Sequence, residues 1–332
     1  MPIKIKSSGG GSITLDVPST AVDTTLFLPT SNGAAIYSNT NTSFSGNVAV
    51  SGANSYISIN GNNVTPFAMR NRLINGAMII DQRYAGASAN NQAASVYSVD
   101  RWVTFGSQAT KFSFQRNAGS VTPPPGFTNY VGITSLSSYS LTSTDYNYIG
   151  QWIEGYNIMG LDLGKSTSKS LTLSFWVRSS LTGTFGGSFS QSGTNNFPFS
   201  YTISSANTWE FKTVVISPDI SGTTYNTTNG NSVILIFGLG TGATYSSGAA
   251  GAWSTSNNIQ ANGTISLIGT AGATLYITGV QLEAGPVATP FEYRPYSMEL
   301  ELCQRYYEKT YDIETAVGTA TTTGQQIGIG ND

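Results

Sequence analysis

The chain contains no histidine at all. That excludes the Ser-His-Asp and Cys-His nucleophile systems as normally built. It also excludes most zinc sites, because the single cysteine, Cys303, does not replace the missing ligands. An enzyme made from this sequence would have to rely on carboxylates, lysine or tyrosine. A lone cysteine makes no internal disulfide. Charge is scarce too: charged residues are 10% of the chain, against roughly 25% in an ordinary soluble domain. The net charge of -2 removes the clustered lysine and arginine that displace counterions from nucleic acid. No stretch approaches the roughly 18 apolar residues of a membrane-spanning helix, and Met1 to Gly10 lacks the apolar core of a secretory signal.

What fills the space is glycine, serine, threonine and asparagine. In 332 residues there is room for about two domains, or one large β domain with extensions. Few helix formers and many turn formers predict strands and turns throughout. Extracellular adhesins, viral fibres and secreted binding modules share this profile, yet here it comes without an export signal or disulfides. Assembly in a host cytoplasm followed by release on lysis, as virion proteins do, reconciles the two.

Residues 1–68 read as short extended runs, Ser12 to Val17, Thr24 to Leu28, Ala34 to Tyr37 and Val48 to Ile59, broken by Gly46, Gly52 and the turn pair Asn60-Gly61. Such a strip buries little per residue and would struggle alone against chain entropy. We expect an oligomeric stem or virion-attachment segment, intertwined with identical copies. From Arg70 the apolar content rises. In Leu171 to Ser180, Leu171, Leu173, Phe175 and Val177 alternate with Thr172, Ser174, Trp176 and Arg178, a period of two with one buried face. Thr208 to Ile216, Ser232 to Leu239 and Thr274 to Leu282 follow. Strands separated by turn signals, with no helical periods between, predict a sandwich or barrel over 69–296. The two-sided run from Val233 to Phe237 suits a central strand. One helix is expected, over 297–312, with Ser297 as N-cap and Glu299 and Glu301 near its positive end. Residues 313–332 return to strand-and-loop composition.

Several short series then resemble one family. They are Asn71-Arg72-Leu73-Ile74-Asn75-Gly76, Asp81-Gln82-Arg83, Asp100-Arg101-Trp102, Leu171 to Arg178, and Asn207-Thr208-Trp209-Glu210. The closing set is Thr278 to Glu283, Ala288-Thr289-Pro290-Phe291-Glu292 and Cys303-Gln304-Arg305-Tyr306-Tyr307. Together they resemble the jelly-roll domain of phage tail fibres and related virion proteins, over about residues 70–312. Thr24-Thr25-Leu26 leading to Leu28-Pro29 is similar to N-terminal segments of phage structural proteins. The resemblance implies an all-β jelly-roll sandwich like that of carbohydrate-binding modules, a homotrimer, and no chemistry of its own. A tail fibre or fibre-like appendage that binds host surface glycans is the leading expectation. A capsid decoration or collar protein making only protein contacts is the alternative, and a polysaccharide depolymerase trails both. Partners would be identical copies, other virion proteins through residues 1–68, and a host polysaccharide; nucleic acid and membrane insertion are not expected.

Trp176 alternates out of phase with its apolar neighbours, so its indole is a platform on which a sugar ring stacks, unless a loop or subunit covers that face. Trp152 and Tyr156 beside Glu154 make an aromatic-plus-carboxylate cluster of the kind that holds a sugar. Trp102, Trp209 and Trp253 read as anchors whose N–H groups find backbone carbonyls. A glycosidase needs only two carboxylates, but Glu154, Asp162, Glu210, Asp219, Glu283 and Glu292 show no recognisable spacing. Glu283 and Glu292 are better explained by backbone N–H groups or by Arg101 or Arg294. Asp81, Asp100 and Glu283 are available to calcium, but no DxDxDG-type loop exists. No catalytic residue, metal or cofactor is assigned. Leu302, Tyr306, Tyr307 and Tyr311 form a partly apolar surface that either packs on the sandwich or lines a three-fold interface.

Overall fold

The computed structural model describes residues 3–6, 12–15, 57–59, 62–64, 69–191 and 195–320. The chain divides into two units, Met1–Ile57 and Ser58–Asp332. In the first, β1 (Ile3–Lys6) pairs antiparallel with β2 (Ser12–Leu15). β3 (Ile57–Ile59) and β4 (Asn62–Val64) form a second two-stranded sheet, and the expected Asn60-Gly61 turn lies outside the described residues. The remainder of the stem expected over 1–68, and the tail beyond residue 320, lie outside the described residues.

Twelve strands build the sandwich. They are β5 (Ala89–Asn90), β6 (Val96–Val99), β7 (Trp102–Gly106), β8 (Phe112–Arg116), β9 (Val131–Ser135), β10 (Tyr146–Glu154), β11 (Leu171–Ser179), β12 (Gly183–Gln191), β13 (Asn195–Ile203), β14 (Glu210–Ile216), β15 (Asn231–Thr241) and β16 (Thr274–Ala284). One sheet runs β13-β12-β15-β10-β7-β6, the other β14-β11-β16-β9-β8-β5. Every pair of neighbouring strands within them is antiparallel. Strands distant in sequence lie side by side, the jelly-roll arrangement expected of an all-β chain. β15 and β16 each sit in the interior of their sheet, and the Val233–Phe237 run is buried on both faces as its two-sided pattern requires.

Between the sheets the period-two residues meet. Leu171, Leu173, Phe175 and Val177 are all fully buried. Phe175 stands edge-on to Phe237 of the opposite sheet at 4.9 Å, and Phe199 meets the same ring at 6.1 Å. Trp102 fills one corner, 1% exposed, with its N–H on the Asn75 carbonyl at 3.0 Å.

The motif residues gather into a polar clasp around this core. Asn75 donates to the carbonyls of Ile80 and Asp100 and accepts from the Ile80 N–H. Asn71 accepts from the Leu73 and Leu282 N–H groups and donates to Val280. Glu292 accepts from the N–H groups of Arg70 and Asn71 and pairs with Arg294 at 3.2 Å, as expected of it. Glu283 accepts from the Thr289 N–H and hydroxyl. Asp81 caps the N–H groups of Tyr84 and Gly86, and Asp100 accepts from Gln82 and Arg83. These asparagines and carboxylates hold backbone outside the sheets, and Asn71 ties it to Val280 and Leu282 of β16, so their work is structural.

The helical reading needs two corrections. α1 (Gly155–Ile158) is a short helix directly after β10. α2 spans Tyr296–Gln304, with Pro295 rather than Ser297 at its N-cap and no side-chain cap. It stops short of residue 312 because the next side chains are taken by the sandwich. Arg305 and Tyr306 both reach Glu154, Arg101 lies over the Tyr306 ring at 3.4 Å, and Arg83 lies over Tyr307 at 3.6 Å. The Tyr307 carbonyl accepts from Gln82, so this segment is tied to the sandwich, while Tyr306 remains 36% exposed.

Candidate aromatic cleft on the outer sheet face

On β10 every second residue faces away from the core: Tyr146, Tyr148, Gly150 and Trp152 are outward, while Ile149, Gln151 and Ile153 are buried. Tyr148 is registered opposite Phe105 of β7, and Trp152 opposite Ile234 of β15. The rings of Phe105, Tyr146 and Tyr148 lie nearly parallel, 5.4 and 5.9 Å from Phe105 with interplanar angles of 13°. Gly150 leaves a gap in this row, and a Cβ there would come within 2.5 Å of the Leu235 carbonyl. The floor is apolar, made by Ile234 and Ile236.

The segment after β15 supplies the opposite wall. Tyr245 stands edge-on to Tyr146 at 5.1 Å, and Ile259 donates its N–H to the Tyr245 carbonyl at 2.8 Å. Asn258 pins this wall to β13 through Asn196, and the exposed Asn257 amide stands at the rim. The result is a cleft of about 250 Å³, just below the roughly 300–1,000 Å³ of typical small-molecule sites. Its lining holds no Lys, Arg, Asp or Glu. The hydroxyls of Tyr146, Tyr148 and Tyr245 and the Trp152 indole N–H have no hydrogen-bond partner among the described residues. Burial, then neighbouring Tyr146, pushes the Tyr148 hydroxyl up to about 12, so it remains a protonated donor at neutral pH. Flat aromatic surface, unspent donors and no net charge suit a neutral ligand with apolar C–H faces and many hydroxyls.

The five tryptophans sort by their indole N–H. Those of Trp102, Trp209 and Trp253 donate to the carbonyls of Asn75, Thr122 and Ser217, the anchor role expected for them. Trp152 and Trp176 have no such partner among the described residues. Of the residues singled out in the sequence, only Trp152 lines the cleft. Trp176 faces outward from the other sheet, half-buried and 5.4 Å from the exposed Phe211 ring on β14. Tyr156, 53% exposed, lies on α1. Glu154 is buried and occupied: a register shift between Ile153 and Glu154 breaks the alternation, and Arg305 and Tyr306 hold the carboxylate. The expected Trp152-Tyr156-Glu154 cluster is therefore not assembled around one cavity. Tyr146, Tyr148, Phe105 and Tyr245 were not singled out, although the Tyr-x-Tyr-x-Gly-x-Trp alternation over 146–152 is visible in the sequence.

No known family profile matches the chain, and no curated protein matches it. Among solved structures it is similar to the enzymatically active domain of bacteriophage CBA120 tailspike protein 4, with 13% identity and a TM-score of 0.34, covering 65% of this chain and 21% of that one. The chain thus spans about a fifth of that relative. It is also similar to TmCBM61 in complex with β-1,4-galactotriose, with 13% identity and a TM-score of 0.33, covering 65% of this chain and 99% of that one. A family 11 carbohydrate-binding module of a Clostridium thermocellum cellulase gives 13% identity and a TM-score of 0.27, covering 60% and 96%.

Proposed function

We propose that this chain is a structural protein of a phage particle, a tail fibre or fibre-like appendage, and that its sandwich holds a host surface glycan in the aromatic cleft. The observation that carries the glycan reading is the cleft itself: aromatic rings with unspent donors at Tyr146, Tyr148, Trp152 and Tyr245, and no charged side chain in the lining. Aromatic faces take the C–H face of a sugar ring while hydroxyl and indole donors take its oxygens. The same lining supports a non-catalytic role, since hydrolysis of a glycosidic bond calls for a carboxylate pair. The particle reading rests on the histidine-free, weakly charged composition and on the motif series that resembles phage fibres. In it the protein assembles in the host cytoplasm, trimerises, and attaches to other virion proteins through residues 1–68.

The test is a glycan array probed with the full-length protein and with Trp152→Ala and Tyr148→Ala. Each variant is expected to lose about tenfold or more in affinity for whichever glycan the wild type retains, equivalent to about 1.4 kcal/mol. Undiminished binding in both variants would remove the cleft from the mechanism.

A second reading, a decoration or collar protein that contacts only other subunits, is favoured by one feature. Trp176 lies beside Phe211 and on the same sheet as Val215, which are 47% and 50% exposed. Isolated apolar residues need no partner, but an apolar patch on an edge strand and its neighbour fits a subunit contact.

A further inference from the structure

A second cavity, of about 370 Å³, lies between the turns that follow α1 and the loop that follows β14. Its apolar wall is Ile158, Met159 and Leu163; Thr223, Thr224 and Thr227 face it. The two loops are locked together: the Gly164 N–H donates to the Asp219 carbonyl and the Gly222 N–H to the Gly164 carbonyl, each at 2.9 Å. Gly164 has φ +81°, and a Cβ there would run into the Thr223 carbonyl. Asp162 is itself left-handed, at φ 55°, a conformation that aspartate tolerates better than most non-glycine residues.

Beneath the cavity the buried Asp219 carboxylate accepts from the Tyr225 hydroxyl at 2.6 Å, the Asn195 amide at 2.8 Å and the Ser221 N–H at 3.0 Å. That network fixes the floor, so the cavity is formed before anything enters it. At its mouth stand the Asp162 carboxylate, 3.2 Å from the Lys165 ammonium, and the Thr224 and Thr227 hydroxyls, which make no hydrogen bond among the described residues.

We propose that this cavity is a second ligand site, built for a single saccharide ring such as the end-group of a glycan. Its volume lies within the range of small-molecule pockets. One wall is apolar, matching the C–H face of a sugar ring, while the mouth offers a carboxylate acceptor, an ammonium donor and hydroxyls to the ring oxygens. The cleft is an open, neutral, aromatic surface; this pocket is bounded by loops and carries charge, and it stands whether or not the cleft binds glycan.

The test uses the full-length protein and the methyl glycosides of glucose, galactose, N-acetylglucosamine and rhamnose, added one at a time. Amide NMR shifts of Gly164, Gly222 and Thr223 report the pocket, and the Trp152 indole N–H reports the cleft. At least one probe is expected to move the three amides saturably, and Asp162→Asn to weaken that response about tenfold, the loss of one charge-assisted hydrogen bond. Asparagine tolerates the left-handed backbone, so an unchanged melting curve would show the variant intact; Thr224→Val serves if it is not. Silence of all three amides towards every probe, or an equal response in the intact variant, overturns the site. A response at Trp152 alone sustains the cleft and removes the pocket; a response at Gly164 with Trp152 silent does the reverse.

Discussion

A tryptophan's N–H separates structural from available residues here more cleanly than its exposure does. Trp209 and Trp152 are both half-buried, yet one N–H is bonded to the Thr122 carbonyl and the other has no partner among the described residues. Trp102 is the extreme anchor. Trp102→Phe should cost about 1–3 kcal/mol, because it removes one of the two hydrogen bonds to the Asn75 carbonyl, which keeps the Met78 N–H, and leaves a void in a fully packed corner. Trp152→Phe should cost less than about 1 kcal/mol. Denaturant unfolding of the two variants measures the difference, and equal losses would contradict the division. The anchor role of Trp102, Trp209 and Trp253 was legible in the sequence because strand-end tryptophans commonly behave this way. Glu154 was misread because nothing local to residues 150–156 announces a partner 151 residues further on.

Among the elements, β11 was the easiest to read and α2 the hardest. An alternating run such as Leu171 to Val177 carries its own register, since slipping by one residue would turn its whole apolar set to the wrong face. The helix carries no such constraint beyond Gln304, where the side chains that would extend it are engaged with Glu154 of β10, Arg101 and the 82–83 segment instead. The bond from Arg305, helped by Tyr306, holds the Glu154 carboxyl below its usual range. A lowered carboxylate pKa stabilises the fold above the ordinary value, and that contribution fades as pH falls through the lowered one. Cys303 reports on this docking: it is 1% exposed, and burial pushes its thiol up. We expect native protein to resist maleimide, and Glu154→Gln to raise the labelling rate roughly three- to tenfold by favouring local opening of α2. An unchanged rate would mean that the Ile74, Ile80 and Cys303 cluster holds the helix without the ion pair.

For the whole molecule, composition was enough to predict an all-β architecture, and the motif series a jelly-roll sandwich. Neither showed how the two sheets share the strands. The order β13-β12-β15-β10-β7-β6 places Tyr146 opposite Thr241, and such distant pairings leave no local trace in the sequence. The cleft was half-legible for the same reason: its β10 wall is one alternating strand, but Tyr245 and Ile259 arrive from a different segment. Oligomeric state is the quantity that most directly divides the proposed roles. Light scattering on the full-length protein should give three times the chain's 35.0 kDa. A stable monomer would argue against a fibre and for a subunit that docks singly on a larger assembly.

The interior positions of β15 and β16 also set a schedule for synthesis. β10 and β11 are made early, but the strands that join them to β12 and β9 are residues 231–241 and 274–284. A ribosome that has passed β14 therefore carries several apolar strands whose central neighbours do not yet exist. Closing both sheets at this late stage pays a large loop entropy at once, which makes folding slow and leaves nascent chains open to aggregation. Chaperone demand during translation should accordingly peak before residue 284 emerges and fall sharply after it.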